Sequence, residues 1–108
     1  MTIKQLCDIA HGLAVAKGFY DPVPSVDQRL MMIVTEIAEA HEELRSGHSV
    51  THTYTRADGK PEGFAYELAD AVIRICDLAG HLGIDLESAI EEKHKFNATR
   101  PMKHGRAF

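Results

Sequence analysis

The segment SVDQRLMMIVTEIAEAHEELR, Ser25–Arg45, decides how the rest of the chain is read. Its first four residues have the Ser-x-x-Gln form of a capping box, in which the two ends satisfy each other's free backbone N–H groups, so a helix opens here. Leu30, Ile33, Val34, Ile37, Ala38, His41 and Leu44 then recur at three- and four-residue steps, which marks their side as the inner face. Ser46-Gly47 stops the run. Inside it, Glu36 and Glu39 stand one helical step apart at the edge of the apolar stripe.

Towards the N-terminus, Thr2-Ile3-Lys4-Gln5 is a second capping box, followed by Ile3, Leu6, Cys7, Ala10, Leu13 and Ala14 on one face. Gly18 ends that helix, and Asp21-Pro22-Val23-Pro24 forbids its continuation. Towards the C-terminus, helical periodicity disappears between His48 and about Gly63. Val50 to Arg56 has the composition of a short strand, but Thr, Ser, His and Gly, the Asp58-Gly59 turn pair and Pro61 read best as a long, mobile polar loop. A third helix is expected from about Glu62 to Leu82, burying Phe64, Leu68, Ala71, Val72, Ile75, Leu78, Ala79 and Leu82, with Gly83 as its stop. Asp85 caps a fourth, Ile84 and Ala89 are placed as a hydrophobic staple, and Pro101 closes it. The last few residues form a loose basic tail. The expectation is an all-α four-helix bundle, one domain over residues 1–108, with the polar loop between helices 2 and 3.

A chain of 108 residues has a marginal core, so association into a homodimer or homotetramer would help it. A net charge of −4 argues against duplex nucleic acid as a partner, because phosphate binding needs a basic face. Cys7 and Cys76 lie far apart with no CxxC, which fits buried reduced thiols better than a disulfide scaffold or zinc ribbon. The longest apolar run, Leu30 to Val34, is far short of a membrane span, and Asp8 and His11 fall where a signal peptide would be apolar. A cytoplasmic protein, away from the membrane, is expected.

The chemistry sits in two repeats of one pattern. Glu36-Ile-Ala-Glu39 and Glu67-Leu-Ala-Asp70 each place two carboxylates on one helical face, ~5–6 Å apart at Cβ. If the two helices pack antiparallel, four carboxylates converge. Carboxylates turned towards a neighbouring helix must be protonated, paired or cation-bound. Oxygen ligands without thiolate or aligned imidazole favour Mg2+, with Mn2+ as the alternative, over zinc. Either pair alone would read as a solvated helix edge; two pairs against the core in consecutive helices do not.

The run Thr35–Arg45, then Asp58-Gly-Lys-Pro-Glu-Gly63, then Glu67–Ile75, resembles the MazG-like family of all-α nucleoside triphosphate pyrophosphohydrolases. The closing segment, Lys93-x-x-x-Asn97 with Thr99-Arg-Pro101 and Lys103-His-Gly105, is similar too, so the likeness covers nearly the whole chain. One position departs: where many members carry a second Glu before the first pair, this chain has Thr35. The resemblance implies that Glu36, Glu39, Glu67 and Asp70 hold magnesium and that Glu36 or Glu39 prepares the attacking water. It also implies that Lys93 and Asn97, with Arg100 as a helper, approach the triphosphate or sugar of a nucleoside triphosphate substrate, and that active sites lie near subunit interfaces. No tryptophan is present, so Phe19 and Tyr20 are the aromatic pair that would stack on a base. Hydrolysis at the α-phosphorus would then give a nucleoside monophosphate and pyrophosphate. Without the resemblance, Lys93 and Asn97 read as ordinary helix surface.

Other features carry plainer readings. His48-x-x-x-His52 has zinc spacing only on a helix, which its Ser/Val/Thr setting disfavours. His11, His41 and His81 read as satisfied or half-exposed side chains, and Met31 and Met32 as core or interface filler. A di-iron bundle would need two Glu-x-x-His pairs facing one site, and only Glu91-x-x-His94 has that form. The rival from another class is a non-catalytic helical interaction domain that oligomerises through its apolar surface.

Overall fold

The computed structural model describes all residues, Met1–Phe108. Four helices, α1 (Ile3–Ala16), α2 (Val26–Arg45), α3 (Phe64–Leu82) and α4 (Leu86–Thr99), account for most of the chain, and a short 3-10 turn spans Met102–Gly105. Both expected capping boxes form: Thr2 and Gln5 bond reciprocally at α1, as do Ser25 and Gln28 at α2. Asp85 caps α4 through the backbone N–H of Ser88. Gly83, left-handed at φ 67°, ends α3.

The polar segment between α2 and α3 is a hairpin rather than a structureless loop. β1 (Thr53–Thr55) and β2 (Pro61–Gly63) pair antiparallel with Tyr54 opposite Glu62, and Gly59 takes the positive φ of the turn. Glu62, expected in the first turn of α3, therefore belongs to β2. Gly63 joins the hairpin to α3 at φ 138°, and a Cβ there would lie 2.5 Å from the His52 carbonyl oxygen, so only glycine fits. No helix is long and apolar enough to cross a membrane.

α3 is the axis, with α1 packed along one side and α2 along the other. Against α1 the core is Cys7, Ala10, Cys76 and Ala79, with Ile3, Leu6 and Leu86 around it. Gly80 permits the close approach, because a Cβ there would meet the His11 Cβ at 2.8 Å and the Cys7 carbonyl at 3.0 Å. α4 leans on the start of α1, Leu86 seating on this cluster, and none of its residues is buried. The four helices of one protomer thus do not enclose a common core.

The α2–α3 contact corrects the sequence reading. The buried residues of α2 are Glu36, Ala40 and Glu43, and it is this polar stripe that faces α3. Leu30, Val34, Ile37, Ala38, His41 and Leu44, expected inside, point outward. On α3, Ala71, Leu78 and Ala79 are buried as expected, but Leu68, Val72, Ile75 and Leu82 are exposed. Periodicity identified the apolar face correctly as a face, but nothing within the chain covers it.

Candidate metal centre

Because α2 turns its acidic stripe inward, Glu36 meets the acidic edge of α3. Glu36, Glu67 and Asp70 place carboxylate oxygens within 4.8 Å of one another. Glu36 and Glu67 are buried and Asp70 is half-buried. Glu39 is more exposed and stands where two cavities adjoin, lining one with Glu36 and Asp70 and the other with Glu67. The four carboxylates named from the sequence therefore gather at one place.

Their charges are not equally compensated. Burial pushes the Glu36 carboxyl up, but the Arg74 guanidinium, whose Nε donates to Glu36 Oε1, helps bring it below its usual range. Asp70 is raised by burial and by the neighbouring Glu36 charge. Glu67 is raised furthest, to about 8, first by burial and then by Glu39 and Glu62. Its Oε2 is buried with no hydrogen-bond partner. A carboxylate oxygen left in that condition costs free energy unless a proton or a cation arrives. An all-oxygen donor set around it suits a hard cation such as Mg2+ or Mn2+.

The centre opens into a cavity of about 430 Å³. Lys17, Arg29, Lys60 and Arg74 line it together with Glu36, Glu39, Asp70 and Asp77, so its walls carry both signs. Ala10, Leu13, Ala14, Phe19 and Ile73 supply an apolar side. Arg29 is anchored by Nη2 donating to the Phe19 carbonyl at 3.0 Å and by Asp77 Oδ2 at 3.9 Å, yet its Nε–H is buried without a partner. Asp77 is itself buried and accepts from the Tyr20 hydroxyl at 2.9 Å, with His11 Nδ1 at 3.1 Å. Burial and that bond to Asp77 raise the Tyr20 hydroxyl to about 12.

Of the aromatic pair, Phe19 lines the cavity, whereas Tyr20 packs behind it against His11, His81 and the Arg29 guanidinium. Lys93 and Asn97 line a separate shallow groove on α4 with Leu86 and Ile90, and Arg100 lies over the Phe96 ring; none of the three joins the carboxylates within one protomer. His48 and His52 pack with ring centroids 4.6 Å apart and planes tilted by 40°, and His48 Nδ1 bonds Glu43 at 2.6 Å instead of forming a helical zinc pair. Cys7 and Cys76 are buried free thiols. Sequence reasoning missed Arg29, Arg74 and Asp77; the available signal was spacing, since Arg74 follows Asp70 by one turn and Arg29 precedes Glu36 by two. No family model, curated protein or solved structure matches the chain.

Proposed function

We propose that the protein is a magnesium-dependent nucleoside triphosphate pyrophosphohydrolase of MazG-like type, working at Glu36, Glu39, Glu67 and Asp70. The observation that carries this reading is the buried oxygen of Glu67, left without a donor among carboxylates from two helices. A divalent cation bound there supplies Lewis acidity, lowers the pKa of a coordinated water and offsets the roughly four negative charges of a triphosphate. Glu36, held in place by Arg74, and Glu39, at the open edge, are the two candidates to orient the attacking water and take its proton. Attack at the α-phosphorus breaks its bridging bond to the β-phosphate, so pyrophosphate departs and a nucleoside monophosphate remains. Arg29, Lys60 and Arg74 place cationic side chains on the cavity wall for phosphate oxygens.

Lys93, Asn97 and Arg100 enter this reading through a second copy. The protomer exposes 8014 Å², against about 6,000 Å² for a compact monomer of its mass. The exposed stripe of α2 is the contact this reading uses, and it requires that a homodimer or a dimer of dimers bring the α4 residues of one copy towards the carboxylates of another. The same stripe favours a second reading, a non-catalytic helical association domain with a solvated acidic face. Pyrophosphate release from a panel of canonical and modified nucleoside triphosphates in Mg2+ separates the two. The wild type is expected to turn over at least one of them, and Glu67→Gln and Asp70→Asn to lose at least a hundredfold in rate with unchanged helical circular dichroism. Wild-type activity in both variants removes the site; inactivity of the wild type on every triphosphate leaves the association domain.

A further inference from the structure

Asp77 is a buried acid that the carboxylate centre does not use. It stands on α3 at the wall of the same cavity, its side chain 8% exposed. We propose that Asp77 is a positioning residue that fixes the Arg29 guanidinium at the cavity wall, where Arg29 grips the polyphosphate tail of the substrate; this rests on reading that cavity as a triphosphate site.

Four parts of the chain meet at Asp77. Its Oδ1 accepts from the Tyr20 hydroxyl at 2.9 Å and faces His11 Nδ1 at 3.1 Å, while Oδ2 faces Arg29 Nη1 at 3.9 Å. His11 belongs to α1, Tyr20 to the connection between α1 and α2, and Arg29 to the first turn of α2. Tyr20 also supports Arg29 directly, with the guanidinium carbon 4.5 Å from its ring centre, a placement that favours a cation. The Phe19 carbonyl completes the seat by accepting from Nη2 at 3.0 Å.

That seat leaves the cation under-used. Its one hydrogen bond is to Phe19, its Nε–H is buried without a partner, and Asp77 stands at the outer limit of an ion pair. An arginine and an acid buried only to brace the fold would close into a bidentate pair, because a buried charge is costly until its donors are served. Arg29 instead stays on the cavity wall, 11% exposed, and its planar fork matches paired phosphate oxygens. Both oxygens of Asp77 already face donors, so its charge is answered before an anion arrives. The network also reaches the apolar side of the cavity, since the carbonyl that holds Arg29 belongs to Phe19. A base stacked on Phe19 and a phosphate on Arg29 would be set by the same contacts.

Calorimetric titration with the magnesium complex of inorganic tripolyphosphate tests this. Asp77→Asn keeps the shape and removes the charge, and Arg29→Gln removes the cation. Each is expected to weaken binding about tenfold, the scale of one charge-assisted hydrogen bond, and the double variant to bind no worse than Arg29→Gln alone. A residue that only braced the fold would cost the same in either background. Wild-type affinity in Asp77→Asn, losses that add in the double variant, or no binding by the wild type overturns the proposal. Arg29→Lys keeps the charge without the fork and should lose about as much. Unchanged affinity in that variant overturns the proposal even should Asp77→Asn fail to fold. The expected binding pattern with no nucleoside triphosphate hydrolysed would sustain this network and defeat the pyrophosphohydrolase reading. Hydrolysis with a KM indifferent to Asp77→Asn would do the reverse.

Discussion

Glu67 has the most displaced carboxyl of the proposed site, and its proton is the quantity to follow. Its carboxyl is raised to about 8 in the folded chain, whereas an unfolded chain releases that proton near 4.5. The folded state therefore binds the extra proton between these values, and metal-free stability falls as pH rises from about 4.5 to 8. A cation must displace that proton, so apparent Mg2+ affinity should climb about tenfold per pH unit below 8 and level off above it. Calorimetric titration at pH 6, 7, 8 and 9 measures this, and a flat profile would contradict it. The acidic pairs could be read because i,i+3 spacing fixes a shared face whatever the tertiary context. Arg74 and Arg29 offered only their helical spacing from the acids, which does not tell a cation facing water from one facing a buried carboxylate. Lys93 and Asn97 were legible only through resemblance, and the protomer leaves them on the outer surface of α4.

Among the elements, α2 teaches the most. Its boundaries followed from the Ser25 capping box and the Ser46-Gly47 stop, both local chemistry. Its orientation did not, because hydrophobic periodicity says that a face is buried without saying by what. Here the stripe Glu36, Ala40, Glu43 packs on α3, and Leu30, Val34 and Ile37 remain at least half exposed. Of the hairpin only the strand composition of Val50 to Arg56 was legible, because its strands are three residues each, too short for alternation to register. The outward stripe predicts that Ile37→Asp, which disturbs nothing inside the protomer, breaks association. Light scattering should give the wild type at least twice 12.0 kDa and the variant a lower mass or an unfolded chain. A wild type of 12.0 kDa at micromolar concentration would contradict this.

The whole molecule bears the mark of an unfinished surface. Its radius of gyration is 16.4 Å, against about 13 Å for a compact domain of this length. Only seven hydrophobic residues are buried, four of them alanines, beside five buried acids. So small a core gives the chain little apolar burial of its own. Covering about 2,000 Å² of excess surface is well within what a permanent homodimer buries. The helical class was legible from the sequence because caps and periodicity are local, while the way the helices pack was not, because an apolar face does not name what covers it. The proposed site requires that carboxylates of α2 and α3 surround one cation. Diffraction from crystals soaked in Mn2+, recorded at the manganese absorption edge, reads that arrangement out atom by atom. An anomalous peak about 2.1–2.2 Å from oxygens of Glu36, Glu67 and Asp70 is the predicted result; full manganese exposure with no peak among those side chains would contradict it.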